Sequence, residues 1–147
     1  MVALIQNKKV YFNYEILEKL EAGIELVGFE VKSLKSGQGS LEGAYVSIRG
    51  GEAYLLSANV PPYQVANTGK EYDARRARKL LLTKKEIMKI VQIESQKGLT
   101  IVPISIYIKK GKLKLEIGIA RGKKKADRRE AIKKREADRY MKRIINP

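Results

Sequence analysis

Hydrophobic and polar positions alternate over the last third of the chain in a pattern that extended backbone explains. Leu113, Leu115, Ile117 and Ile119 are separated by Lys114, Glu116 and Gly118. Period two puts the aliphatics on one face of a strand and the polar groups on the other. Just upstream, Ile104, Ile106 and Ile108 alternate with Ser105 and Tyr107, and Lys109-Lys110-Gly111-Lys112 lies between the two runs. Two such runs about a short Gly-containing turn predict a hairpin. A second hairpin is predicted from Tyr45-Val46-Ser47-Ile48-Arg49 and Glu52-Ala53-Tyr54-Leu55-Leu56, joined by Gly50-Gly51, which supply the positive φ of a tight turn. A longer strand is expected over Tyr14 to Val27, with parts of it open to a helical reading.

Two helices interrupt this pattern. Gly28 to Gly37 reads as a short helix closed by Gly37. Thr83-Lys84-Lys85-Glu86 is a capping box, followed by Ile87, Ile90, Val91 and Glu94 at helical spacing, with Gly98 as the stop. Pro61-Pro62-Tyr63 opens a loop expected to run to about Arg75. Short antiparallel strands with flanking helices predict a mostly β fold, a small closed antiparallel barrel of the oligonucleotide-binding (OB) type. A chain of 147 residues suits one compact domain, and 44 % hydrophobic residues suffice for its core.

Charge adds a second division. There are 31 Lys and Arg against 16 acids, a net +15. A field of that sign concentrates polyanions at the surface. The last 27 residues, Arg121 to Pro147, hold twelve basic and four acidic side chains, leaving net +7 for residues 1–120. The chain therefore divides into a barrel over 1–120 and a basic tail over 121–147. The tail lacks Gly and Pro from Lys123 to Asn146, and Ala137, Tyr140, Met141, Ile144 and Ile145 share one helical stripe. Like charges at i+3 and i+4 oppose that helix, and phosphates relieve the repulsion. The tail is expected to be disordered alone and helical on RNA; the alternative is a solvated charged helix packed on the body or on another chain.

The chain has no Cys and no His. Disulfides, thiolate chemistry, His-dependent triads and the usual metal ligands are thereby excluded. The acids are scattered, which disfavours a metal-dependent nuclease. No catalytic residue, metal or cofactor is assigned. No apolar run is long enough to span a bilayer, and Met1 to Lys9 lacks the order of a signal peptide, so a cytoplasmic protein with no membrane partner is expected.

Three segments carry candidate chemistry. Arg75, Arg76, Arg78 and Lys79 precede Leu80-Leu81-Leu82, a cationic rim beside an apolar edge in a loop leading to a helix. Arginine there can bridge phosphate oxygens and stack on bases; a solvated edge is the plainer reading. Glu21-Ala22-Gly23 offers a carboxylate able to accept from base amino groups beside a glycine that marks a bulge or close backbone approach, against the plainer reading of a surface Glu balancing lysines. Gly122-Lys123-Lys124-Lys125-Ala126-Asp127-Arg128-Arg129-Glu130 joins barrel to tail, with Gly122 as a hinge, cations for phosphates and acids that complement a helix N-terminus. The eight tyrosines read as core or rim residues, and none is assigned to base stacking.

Asn7-Lys8-Lys9, Glu21-Ala22-Gly23, Gly28-Phe29-Glu30-Val31-Lys32-Ser33-Leu34, Arg76-Ala77-Arg78-Lys79-Leu80-Leu81-Leu82 and Gly122-Lys123-Lys124 stand in an order that resembles the small protein B family, the SsrA-binding proteins. The likeness runs from about Asn7 into the tail. It implies an OB-type barrel that binds the tRNA-like domain of tmRNA and is delivered with elongation factor Tu to a stalled ribosome, for trans-translation. On this chain the implied tmRNA contacts fall at Asn7, Glu21, Leu81 and Lys114, with Arg76, Arg78 and Lys79 in the same block as further RNA-binding candidates. The implied ribosome-contacting tail residues are Gly122, Lys123, Lys124, Asp127, Arg128 and Arg129. They would enter the vacant mRNA channel against small-subunit RNA. Phe12 stands where the family often has His, Ala126 where an aromatic or His is common, and Arg128 where Lys is usual. A non-catalytic monomer is expected. A structural ribosomal or general RNA-binding protein is the alternative that shares the charge and the barrel.

Overall fold

The computed structural model describes residues 2–63 and 71–123, together with Lys133, Arg135, Glu136, Ala137 and Arg139 of the tail. Ten elements follow in chain order. They are β1 (Val2–Gln6), α1 (Val10–Asn13), β2 (Tyr14–Ile24), α2 (Gly28–Lys35), β3 (Tyr45–Arg49), β4 (Glu52–Leu56), β5 (Arg78–Leu81), α3 (Lys84–Glu94), β6 (Leu99–Lys109) and β7 (Lys112–Gly122).

The strands form one antiparallel sheet in the order β1-β6-β7-β2-β5-β4-β3. Both predicted hairpins are present. The β6–β7 turn is Lys110-Gly111, with φ of 51° and 76°, and the β3–β4 turn is Gly50-Gly51, with φ of 59° and 78°. Positive φ at both central residues is what matches a two-residue turn to the twist of the strands it joins.

Closure of the barrel is corrected. Strands β1 and β3 are the two edges, and among the described residues no ladder joins them. The sheet curls until β3 packs against β6, and α3 contacts both strands. A helix with Ile90 and Ile93 in the core, rather than a strand pairing, covers that seam.

The concave face holds the main core, including Ala22, Ile24, Ala53, Leu55, Leu80, Ile106, Leu115 and Ile117. The convex face is divided. At one end Val102, Ile104 and Ala120, with Tyr14 and Ile16 alongside, form a second small core beneath Val10 of α1. Gly118 belongs to this end, where an added Cβ would meet Ile104 Cδ1 at 2.9 Å, so strand and side chains touch closely. The other end has no covering element among the described residues, and it carries Glu21, Leu81, Tyr107 and Lys114.

Both predicted helices form. Thr83 Oγ1 accepts from the Glu86 N–H at 3.2 Å while Glu86 Oε1 accepts from the Thr83 N–H at 2.9 Å, the reciprocal capping box. The helix ends at Glu94 rather than running to Gly98. The strand expected from Tyr14 ends at Ile24, three residues short of Val27. Strand β1, the short α1 and strand β5 were not among the predicted elements. The last strand reaches Gly122, which pairs with Tyr14, and the Lys123 N–H donates to Asn13 O at 2.9 Å. The described body therefore runs through Lys123.

Candidate RNA-binding face

Strand register assembles the uncovered end of the convex face. Gly23 lies opposite Leu81 on β5 and opposite Lys114 on β7, and Lys114 lies opposite Tyr107 on β6. Residues directly opposite in an antiparallel ladder share a face. One row therefore runs Leu81, Gly23, Lys114, Tyr107 across four strands. Glu21 is two residues before Gly23, on the same face, in the next row with Glu116 and Ser105. Glycine at 23 is what lets Leu81 lie across β2: an added Cβ would stand 3.0 Å from Leu81 Cβ. Leu81 remains 52 % exposed, an apolar side chain presented outward between charges. The close approach expected at Gly23 is thus present.

Glu21 is held on this face. Tyr107 Oη donates to its Oε2 at 2.5 Å, and Lys109 Nζ donates to the same oxygen at 3.2 Å. The Tyr107 hydrogen bond and then Lys109 lower the Glu21 pKa, which keeps the carboxylate ionised and able only to accept. Burial first, and then Glu21, raises the Tyr107 pKa, so the phenol stays a donor. The surface accordingly offers an anionic acceptor, an apolar side chain and lysines within neighbouring rows. This combination fits base edges and phosphates of a folded nucleic acid.

Asn7 sits at the far side of the same face. Pro103 has no N–H to give to the ladder, and β6 bulges between Pro103 and Ser105. Asn7 stitches that bulge to β1: its Nδ2 donates to Pro103 O at 3.1 Å and its backbone N–H to Ile104 O at 2.7 Å. A surface groove there is lined by Asn7, Lys8, Ser105 and Glu116, so Asn7 and the Glu21 row border continuous surface.

The arginine segment is a different structure from the one expected. Arg78 to Leu81 form β5, with Arg78 and Leu80 turned inward and Leu81 outward. Arg78 is fully buried, as is Glu30 of α2, and the two are joined by Arg78 Nη2 and Nε to Glu30 Oε2 at 2.6 and 2.9 Å. Arg78 also donates to the carbonyls of Ala58 and Ala74, at 2.9 and 3.0 Å. Arg76 reaches Glu30 Oε1 at 2.5 Å, Tyr72 Oη lies 2.9 Å from Oε2, and the Val27 N–H donates to Oε1 at 2.9 Å. Burial would raise the Glu30 pKa, but the Arg76, Val27 and Arg78 hydrogen bonds outweigh it and hold it at about 2. Arg78 as an RNA contact is therefore corrected: it has no solvent-facing surface, and its donors are already engaged. Arg76 keeps part of its side chain in solvent, but its guanidinium is paired with Glu30. Lys79 lies on the convex face and pairs with Glu52 at 3.0 Å, directed toward β4 and away from Glu21.

The family model for the SmpB protein matches residues 4–147. The chain belongs to the SmpB family. It is 52 % identical over 133 residues to an SsrA-binding protein of Mesoplasma florum, covering 90 % of this chain and 89 % of that one. It is 46 % identical over 142 residues to the SsrA-binding protein of Gloeothece citriformis, covering 97 % and 92 % of the two chains. A solved chain from the structure described as "tmRNA-SmpB: a journey to the center of the bacterial ribosome" superposes with a TM-score of 0.68 at 41 % identity, covering 86 % of this chain and 92 % of that chain.

In this SmpB chain the tail candidates divide. Gly122 and Lys123 close the body, Lys123 Nζ donating to Tyr11 O at 2.8 Å. Lys124, Asp127, Arg128 and Arg129 lie outside the described residues, as does Ala126. Lys133, Arg135, Glu136, Ala137 and Arg139 are helical, so the disorder expected of the free tail is not seen at these five positions. Arg135 lies with its guanidinium carbon 5.7 Å from the Phe12 ring centre, a cation–π contact. Phe12, at the position where the SmpB family often has His, thus faces an arginine. Two residues that matter to the face were missed by sequence reasoning, Tyr107 and Lys109. Their signal was available: Tyr107 is the aromatic among the isoleucines of β6, on the polar side of its alternation.

Proposed function

We propose that this chain binds the tRNA-like domain of tmRNA through the uncovered half of the convex face, and acts in trans-translation by helping deliver tmRNA to stalled ribosomes. One observation carries the reading: Glu21, Leu81 and Lys114 come from three different strands and meet around Gly23 at the end of the face that no described element covers. Glu21 accepts from a base amino group, Leu81 packs on the RNA surface, and Lys114 neutralises a phosphate. Asn7 supports the far border of the surface. Family membership and the net charge of +15 support the same partner.

The division read from charge, 1–120 and 121–147, falls inside β7, so the RNA-binding body takes in residues up to Lys123 and the ribosome-directed tail follows it. In this reading Gly122 and Lys123 form the junction with the body, and Lys124, Asp127, Arg128 and Arg129 follow small-subunit RNA into the vacant mRNA channel. The tail gains its full helical order there, as phosphates relieve repulsion among its cations. Elongation factor Tu joins the delivery complex, and the chain works as a cytoplasmic monomer without catalysis of its own. The test is deletion of residues 124–147, which leaves β7 and the Lys123 contacts with Tyr11 and Asn13 in place. The truncated protein is expected to bind a transcript of the tRNA-like domain with affinity within a fewfold of the full chain, while tagging of stalled nascent chains is lost. Normal tagging by the truncated protein would overturn the assignment of the tail.

A further inference from the structure

Tyr107 is only 4 % exposed, on a strand whose other residues are aliphatic or small up to Lys109 at its end. A buried tyrosine needs a partner for its hydroxyl. The partner here is neither backbone nor water-facing space but the carboxylate of Glu21, two strands away across β7, at 2.5 Å. Both Tyr107 and Lys109 act mainly on Oε2, whereas Oε1 receives only Lys109 at a long 3.5 Å. One carboxylate oxygen is thereby fixed and the other keeps accepting capacity toward solvent.

We infer that Tyr107 is the positioning residue of the RNA-binding face: its phenol anchors Glu21 Oε2 so that Oε1 is presented in one orientation to a nucleobase amino group. This rests on the reading of Glu21 as an RNA contact and deepens it. An unanchored glutamate on a strand surface samples several rotamers and must lose that freedom when it binds. Anchoring from a rigid, packed ring removes that loss before RNA arrives. It also sets direction, because an amino group approaching the free oxygen meets one geometry. Lysine at 109 adds charge, while the directional restraint comes from the buried phenol. Guanine N2 and cytosine N4 amino groups are the donors of the right kind.

The test is a double-mutant cycle on the full chain, with a transcript of the tRNA-like domain as probe. The variants are Tyr107→Phe, Glu21→Ala and the two together. Phe keeps the buried ring and removes only the hydroxyl. Tyr107→Phe is expected to weaken binding about threefold to tenfold, the size of one net hydrogen bond. In the Glu21→Ala background the same change is expected to do nothing further. The carboxyl of Glu21, followed by NMR, is expected to titrate at higher pH in Tyr107→Phe, a readout that a purely structural tyrosine would not move. If Glu21→Ala weakens binding but Tyr107→Phe has no effect, or adds in full to it, the positioning role is overturned and the Glu21 contact stands. If Glu21→Ala binds normally, the contact itself falls and the positioning role with it. Thermal unfolding of each variant separates these outcomes from loss of fold. Should Tyr107→Phe unfold, replacement of Tyr107 by 3-fluorotyrosine keeps the ring and the hydroxyl and alters only its donor strength: a change in affinity that vanishes in the Glu21→Ala background supports the inference, and no change, or an additive one, overturns it.

Discussion

Glu30 and Glu21 are each bound by a tyrosine and by cationic side chains, yet the molecule uses them in opposite ways. Glu30 is fully buried, takes hydrogen bonds from two arginines, and ties α2 to β5 and to the segment around Tyr72. Glu21 stands on an open face, its charged neighbour is a lysine, and its side chain keeps 36 % of its surface in solvent. Arginine suits the first setting because its planar fork can satisfy a carboxylate and several carbonyls at once and never loses its charge. Lysine suits the second, because an exposed pair of this kind is weak and can be exchanged for a phosphate. Buried clusters of this chemistry thus hold the fold, and exposed ones remain available to a partner.

The contrast is broken most sharply by Glu30→Ala. Removing the carboxylate leaves Arg78 buried and uncompensated, and a loss of about 3 to 5 kcal/mol is expected in urea unfolding. Glu21→Ala removes the acceptor of the buried Tyr107 hydroxyl and is expected to cost about 1 to 2 kcal/mol, less than Glu30→Ala. Its main effect should be a lower affinity for the tRNA-like domain. A variant of Glu30 as stable as the parent would remove the distinction.

Acid separates the two next. The pKa of Glu30 is about 2 in the fold against an ordinary 4.5. A carboxylate with a depressed folded pKa contributes stability that is complete above its unfolded value and is lost as pH falls through the folded one. Stability is therefore expected to decline from about pH 4.5 towards 2, and Glu30→Gln should flatten that decline. Chemical denaturation at stepped pH measures it; an unchanged slope in the variant contradicts the assignment.

A smaller effect comes from Gly23→Ala. Its Cβ would stand 3.0 Å from Leu81 Cβ, so Leu81 must shift, and binding should weaken severalfold while the melting temperature changes little. Wild-type affinity in this variant would mean that Leu81 is not at the interface. The least change is expected from Lys114→Gln, which should reduce the slope of log affinity against log salt by about 0.7 to 0.9, the contribution of one phosphate.

Particular residues explain how much of this was legible in the chain. The β6–β7 hairpin announced itself because Leu113 to Ile119 bury one side of a strand and expose the other, and α3 because Thr83 and Glu86 cap it locally. Strand β5 was hidden because its inward pair is Arg78 and Leu80, and an arginine reads as polar until its partner is known. That partner, Glu30, lies 48 residues earlier and on a helix. The two most distinctive family blocks, around Glu30 and around Arg78, therefore meet as one buried ion cluster. Recognition of the family from those blocks succeeded, but reading the arginines as RNA contacts did not carry over to Arg78. The barrel's open seam was equally out of reach, since periodicity finds strands and not whether the last pairs with the first. Glu21, Leu81 and Lys114 came from family likeness, and register supplied the reason for their meeting. Tyr107 was visible as the aromatic on the polar side of β6, but its partnership with Glu21, two strands away, comes only from register.

The central claim is that the tRNA-like domain docks on the uncovered half of the convex face. Photocrosslinking the full chain to a transcript of that domain, with peptide mapping of the adducts, tests it most directly. Adducts are expected on Leu81, Lys109 and Lys114, and none on the outer side of α3 at Met88 or Val91. Adducts concentrated on α3, with the Leu81 to Tyr107 row untouched, would contradict it.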